Sequence, residues 1–112
     1  MIRTIALIAL LYAQADVAGG WAVTITVPRG ELNYRMFIVQ KGTRLSGYVL
    51  SESGQFELEG TINGNQLKFG WTVPDGGQLV PISFSGKVEN ELISGTAKVG
   101  NVGVGPLVAE RN

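Results

Sequence analysis

The chain has 112 residues, enough for one domain with one hydrophobic core. Its 9 basic residues balance its 9 acidic ones, so it carries no basic footprint for nucleic acid or for an anionic membrane surface. It contains neither cysteine nor histidine, which excludes thiol nucleophiles, disulfides, His-based triads and the usual zinc and haem ligand sets.

Residues 1–15 have the pattern of a secretory signal peptide. One positive charge at Arg3 precedes an almost unbroken apolar run over residues 4–11, and Ala13-Gln14-Ala15 provides an A-x-A cleavage site. A buried N-terminal helix or strand is the alternative. We predict cleavage after Ala15, no stable membrane anchor, and a mature domain over residues 16–112. The absence of disulfides favours export by a bacterium, to the periplasm or as a secreted protein.

From residue 19 onward, strand patterns alternate with turn signals. Most connections are short and contain glycine, and no helical period of useful length appears. The predicted strands span residues 21–27, 32–40, 43–51, 55–62, 65–73, 79–88, 91–99 and 102–110. The sequence therefore predicts an all-β domain built as an antiparallel meander.

Short turns predict how neighbouring strands pair. Turns centred on Lys41-Gly42, Asn63-Gly64 and Glu89-Asn90 keep the apolar residues of each hairpin on one face. The middle turn pairs Gly60 with Leu67. We expect the inward glycines to let strands bend and to make room for bulky residues opposite. These glycines are Gly47, Gly60, Gly86 and Gly95.

Closure of the meander follows from its even number of strands. The first strand can pair with the last, antiparallel, which removes both edges of the sheet. We therefore predict an eight-stranded antiparallel up-and-down barrel, whose interior is either filled by side chains or holds one small ligand. A two-sheet β-sandwich built from the same meander is the alternative.

In this layout the chain resembles the calycin group of up-and-down barrels, which includes lipocalins, fatty-acid-binding proteins and avidins. Gly20-Trp21 is similar to the glycine–tryptophan signature that begins many such barrels. The layout also resembles small secreted bacterial domains of largely unassigned function. That resemblance rests on Leu45-Ser46-Gly47, residues 64–69, Ile93-Ser94-Gly95-Thr96 and residues 105–111. It covers nearly all of residues 19–112 and implies a fold rather than a chemistry.

The ligand-binding residues of two calycin families have no counterparts in this sequence. Tyr48 stands one position earlier than the tyrosine with which avidins contact biotin, and it therefore faces outward. Fatty-acid-binding proteins hold a carboxylate with an inward Arg-x-Tyr pair. Here Tyr34 and Arg35 are adjacent and must point to opposite faces. The resemblance therefore implies neither biotin binding nor that carboxylate anchor.

The two ends of the predicted barrel are unequal. Tight turns and Trp21 close one end, and the longer loops 28–31, 51–55 and 74–78 surround the other, together with Gly100-Asn101. Pockets are common at such barrel mouths. The candidate ligand-binding residues there are Tyr34, Phe56, Trp71 and Val73, with Ser51 at the rim. Alternatively, these aromatic residues simply fill the core.

Two sets of residues are predicted to face outward. Glu57 and Glu59 share the solvent face, where they lack the burial that acid–base catalysis requires. An apolar group on adjacent strands marks either a protein interface, with a partner or a second copy, or ordinary surface. This group consists of Phe37, Val39, Tyr48 and Leu50.

These patterns predict a non-catalytic secreted or periplasmic binding module that holds a small apolar ligand at the wide end of the barrel. The alternative is a filled-core interaction or inhibitor domain that acts through its outer wall or loops. An enzyme is not expected, because the predicted registers leave no charged residue in the central layers of the barrel. We expect no cofactor, no metal ion and no nucleic-acid partner.

Overall fold

Alternation of apolar and polar residues runs through eight strands in the computed structural model, which describes residues 14–112. Their bounds are β1 (Gly19–Val27), β2 (Gly30–Lys41), β3 (Arg44–Ser51), β4 (Gly54–Asn63), β5 (Gln66–Asp75), β6 (Gln78–Glu89), β7 (Leu92–Val99) and β8 (Gly103–Arg111). Residues 1–13 of the predicted signal peptide lie outside the described residues. Within the described part, no helix is long and apolar enough to cross a membrane.

Each strand pairs antiparallel with the next, and β1 pairs with β8 through residues 21–25 and 107–111. The sheet therefore closes on itself, so neither end strand is left as a free edge. The predicted eight-stranded barrel is confirmed. The β-sandwich alternative is wrong, because the closed ladder leaves no second sheet to pack against.

The interior of the barrel is apolar. Trp21, Ile25, Met36 and Ile38 are completely or almost completely buried, and no polar or charged side chain is buried in residues 14–112. Aromatic rings cluster in the middle layers, where the Phe69 and Phe84 centroids are 4.6 Å apart. The hydrophobic effect of this continuous core is the main stabilising contribution to the fold.

The inward glycines permit close approach of neighbouring strands, as expected. A Cβ atom at Gly60 would lie 2.1 Å from the carbonyl oxygen of Lys68. Gly86 faces Gly95 across β6 and β7, and a Cβ atom at either position would clash with the ring of Phe84. The glycines therefore make room for both a backbone and a large side chain.

The predicted turn centres at the tight end are wrong by one residue. The β2–β3 and β4–β5 turns are Gly42-Thr43 and Gly64-Asn65, in which the glycines have φ values of 60° and 65°. Glycine at the first central position is characteristic of a type II′ turn. The pairing consequently shifts by two residues, so Gly60 faces Phe69 rather than Leu67. A shift of two preserves which face each side chain occupies.

The β6–β7 turn is displaced in the same way. Glu89 pairs with Leu92, so the turn consists of Asn90 and Glu91, with φ values of 53° and 63°. Two successive positive φ values match a type I′ hairpin turn, in which glutamate is an unusual residue. Sequence preferences alone therefore placed this turn one residue too early.

Residues 14–18 close the narrow end of the barrel beneath Trp21. Val17 is fully buried, and its N–H donates to the side-chain oxygen of Gln40 at 2.8 Å. The Gln40 amide nitrogen donates to the carbonyl oxygen of Ala15 at 3.0 Å. Trp21 Nε1 donates to the carbonyl oxygen of Val17 at 2.9 Å. We call residues 14–18 the plug. They close the narrow end together with Trp21, which the sequence had predicted alone.

Arg111 at the end of β8 fastens this plug from outside. Its guanidinium carbon lies 4.4 Å from the centroid of the Trp21 ring, a cation–π contact. The same side chain donates to the carbonyl oxygens of Asp16 and Ala18 and pairs with Glu91 at 2.7 Å. One arginine thus connects the N-terminal segment, the first strand and the β6–β7 turn.

Candidate functional site

The wide end of the barrel opens into a recess of about 640 Å³. This volume is within the range of small-molecule pockets, about 300–1,000 Å³. The apolar part of its wall is formed by Val27, Leu32, Val73, Val80, Ile82 and Val99. The loops at the ends of β1, β3 and β5 form its rim, at the mouth that the loop lengths predicted.

The structure divides the five predicted site residues into two groups. Tyr34, Ser51 and Val73 line the recess. Phe56 and Trp71 instead line an opening in the barrel wall between β4 and β5. The two groups meet where the rings of Tyr34 and Trp71 pack edge to face, with centroids 5.4 Å apart.

Tyr34 contributes a phenolic hydroxyl to the recess, whose wall combines apolar side chains with polar ones such as Asn33 and Ser51. Burial raises the pKa of its phenol above the ordinary value of 10.0, because desolvation penalises the phenolate. The side chain therefore remains neutral at physiological pH and can donate or accept a hydrogen bond. It is therefore suited to orient a ligand through a hydrogen bond.

This pKa shift predicts a loss of stability in alkali. Because the folded-state pKa lies above the unfolded value, the Tyr34 contribution is complete below about pH 10 and is lost as the pH rises through the folded pKa. We expect the urea midpoint of the wild type to fall above about pH 10 more steeply than that of Tyr34→Phe. Parallel curves for the two proteins would contradict this prediction.

The rim of the recess carries most of its charge. Glu31, Glu52 and Asp75 are exposed there with Arg29, so carboxylates outnumber cations. Among residues 14–112, no charged side chain is buried where it could balance an ionised ligand. An anionic head group would therefore be repelled at the rim and left unpaired inside. The described residues also contain no cluster of three or more acidic side chains suited to a metal ion.

The opening that contains Phe56 and Trp71 arises because the β4–β5 ladder is short. Pairing ends at Glu59 and Gly70, so residues 54–58 of β4 and 71–75 of β5 face no partner across this seam. A cavity of about 600 Å³ lies there, lined from both strands. We call this opening the slit. The pairing pattern that the sequence predicted continued through this region, so the slit was missed.

Trp71, beside the slit, has a buried hydrogen-bond donor without an acceptor in the described part of the chain. Its side chain is 4% exposed, yet Nε1 has no hydrogen-bond acceptor within residues 14–112. Burying an unpaired N–H is unfavourable by about 1–3 kcal/mol. Its ring is held by Phe69, with the centroids 6.3 Å apart, and by Tyr34. The donor is therefore fixed in position without a partner.

The outer wall carries the predicted apolar group on β2 and β3, which we call the outer patch. Phe37, Val39 and Leu50 are exposed, and Tyr48 is half-buried. Phe37, 42% exposed, stacks on Tyr48 with centroids 5.7 Å apart. The outward orientation follows from the register in which these two residues pair.

No protein-family model matches the chain, and no curated protein matches its sequence. The closed eight-stranded barrel is consistent with a calycin-like fold. A fold of this kind hosts many functions. The recess, the slit and the outer patch are therefore the candidate binding surfaces of the described residues.

Proposed function

We propose that the chain is a non-catalytic binding module that holds a small, uncharged, apolar molecule in the recess. The observation that carries this proposal is the combination of an open recess at the wide end, lined by apolar side chains within a polar rim, with a buried apolar core beneath it. The signal-peptide pattern supports action in the periplasm or outside the cell. The calycin-like layout supports the same type of function.

The chemistry of the recess defines the ligand class. Apolar walls favour a hydrocarbon body, while Tyr34 and Ser51 offer neutral hydrogen-bonding groups to one polar end. Burying about 200 Å² of ligand surface contributes about 5 kcal/mol, part of which offsets the loss of translational freedom. We therefore expect micromolar rather than nanomolar affinity for a simple apolar molecule.

Val73→Arg should weaken ligand binding by placing a long charged side chain in the recess wall. We expect the affinity for N-phenylnaphthylamine, a neutral fluorescent probe, to fall at least about tenfold, equivalent to about 1.4 kcal/mol. Leu79→Arg is the matched control, because Leu79 is 75% exposed and lies outside the recess. Titration of probe fluorescence measures both variants. Equal affinity of the wild type and Val73→Arg would refute binding in the recess.

The second candidate function is association through the outer patch, which the exposure and stacking of Phe37 favour. In this role the chain binds a protein partner or a second copy, and the recess stays without a ligand. Failure of the wild type to bind any neutral apolar probe, together with a dimer in sedimentation that Phe37→Glu dissociates, would favour this function over the first.

A further inference from the structure

The slit presents two strand edges that face each other, because both β4 and β5 continue beyond the last pair of their ladder. Residues 54–58 remain paired with β3 and residues 71–75 remain paired with β6, so each stretch has the geometry of an ordered edge strand. Edges of this kind template the addition of another strand. The β5 edge contains Pro74, which has no N–H to donate. The β4 edge lacks proline and is therefore the better template.

The interior side of the slit is suited to an apolar side chain. Phe56 and Trp71 line it from the two strands, together with Ile82 of β6, which pairs with Trp71. Trp71 Nε1, which has no acceptor among residues 14–112, is itself closed off from the surface. The slit therefore offers an apolar contact, and the unpaired strand edge beside it favours a polypeptide over a hydrocarbon.

The outer side of the slit is acidic on the β4 edge. Glu57 and Glu59 both face solvent, two positions apart, and neither makes an ion pair in the described part of the chain. Across the slit, Thr72 carries no charge to balance them. Opposite charges on neighbouring strands stabilise pairing. Lysine or arginine at alternate, outward positions of an added strand would complement these carboxylates.

We propose that the slit binds an extended peptide with a basic–apolar–basic sequence, which adds to the edge of β4. One basic side chain lies opposite Glu57 and reaches Glu59 diagonally, and the second lies opposite Gln55. The apolar side chain between them packs on Phe56 and Trp71. Main-chain bonds then provide the affinity and the alternating side chains the specificity, as in other cases of strand addition. This site opens in the barrel wall and shares Ile82 with the recess, but peptide binding there does not require a ligand in the recess.

A pair of short synthetic peptides tests the proposal, one alternating lysine with valine and the other glutamate with valine. We expect the lysine peptide to bind saturably, to shift the Nε1–H resonance of Trp71, and to slow hydrogen exchange of the amides in residues 54–58. The glutamate peptide should bind at least about tenfold more weakly. Absence of saturable binding, or protection confined to another part of the barrel, would overturn the proposal.

A matched pair of charge reversals separates the slit from a general attraction of cations. Glu57→Lys should weaken binding of the lysine peptide about tenfold, whereas Glu110→Lys, on the outer face of β8, should change it by less than about twofold. Both positions are exposed, so both variants should fold. Equal effects of the two substitutions would show that the peptide responds only to overall charge, and this result would also overturn the proposal.

Discussion

Gly47→Ala should lower the free energy of unfolding by about 3 kcal/mol or more, enough to leave much of the protein unfolded if its stability is at the low end for a small domain. A Cβ atom at this position would lie 1.9 Å from the carbonyl oxygen of Phe37, which belongs to the adjacent backbone. The φ value of Gly47 is 137°, a region that residues with side chains rarely adopt. Neither the clash nor the backbone strain can be relieved by rotating a side chain.

Gly20→Ala is the matched control for this substitution. Gly20 also lies in a strand, but the nearest atom to an added Cβ is the flexible side chain of Asn112 at 3.5 Å, and no positive φ constrains it. We expect its effect to stay within about 0.5 kcal/mol. Urea unfolding followed by tryptophan fluorescence measures both variants. Similar stabilities for Gly47→Ala and the wild type would contradict the proposed role of the close strand contact.

Trp21→Ala should destabilise the fold by about 3–5 kcal/mol, the usual range for removing a buried tryptophan. The ring is fully buried, and its loss would also remove the hydrogen bond to Val17 and the surface on which Arg111 stacks. We expect the plug over residues 14–18 to detach from the narrow end. Faster hydrogen exchange of the Val17 amide, beyond the global decrease in stability, would report this detachment.

Substitution of each tryptophan by phenylalanine isolates the contribution of the indole N–H. Trp21→Phe removes a satisfied hydrogen bond and should cost about 1 kcal/mol in addition to the lost volume. Trp71→Phe removes a donor that has no acceptor in the described chain, so relief of the unpaired group should offset much of the cavity cost. We therefore expect Trp21→Phe to be the more destabilising variant in urea unfolding. The opposite order would contradict this assignment of the two donors.

The strands could be predicted because alternation and turn residues act locally. All eight appear within a few residues of their predicted bounds. The turn centres were less accurate, because Gly42 and Gly64 adopt positive φ at the first turn position, and sequence alone does not distinguish that position from the second. The Asn90-Glu91 turn was the hardest to predict, because Glu91 adopts a positive φ that glutamate disfavours and that the closed barrel imposes.

The candidate site was predictable only where it follows from the alternation of each strand. Tyr34, Ser51 and Val73 line the recess because inward positions near the long loops must surround the mouth. Because β4–β5 pairing stops at Glu59 and Gly70, Phe56 and Trp71 lie beside the slit rather than in the recess. The point at which this ladder stops depends on how the two strands diverge in three dimensions. The local sequence around Glu59 and Gly70 does not predict that divergence. The burial of Val17 likewise depends on the completed barrel.

The contact between residues 14–18 and the end of β8 has a mechanical consequence. Arg111 contacts Asp16, and the N–H of Asn112 donates to the carbonyl oxygen of Gly20 at 3.1 Å. Force applied between the start of β1 and the end of β8 would load their ladder one pair at a time, beginning at Trp21 and Arg111. Such peeling breaks bonds in succession rather than together. Under tension, the barrel should therefore open along this seam while the recess at the opposite end is still intact.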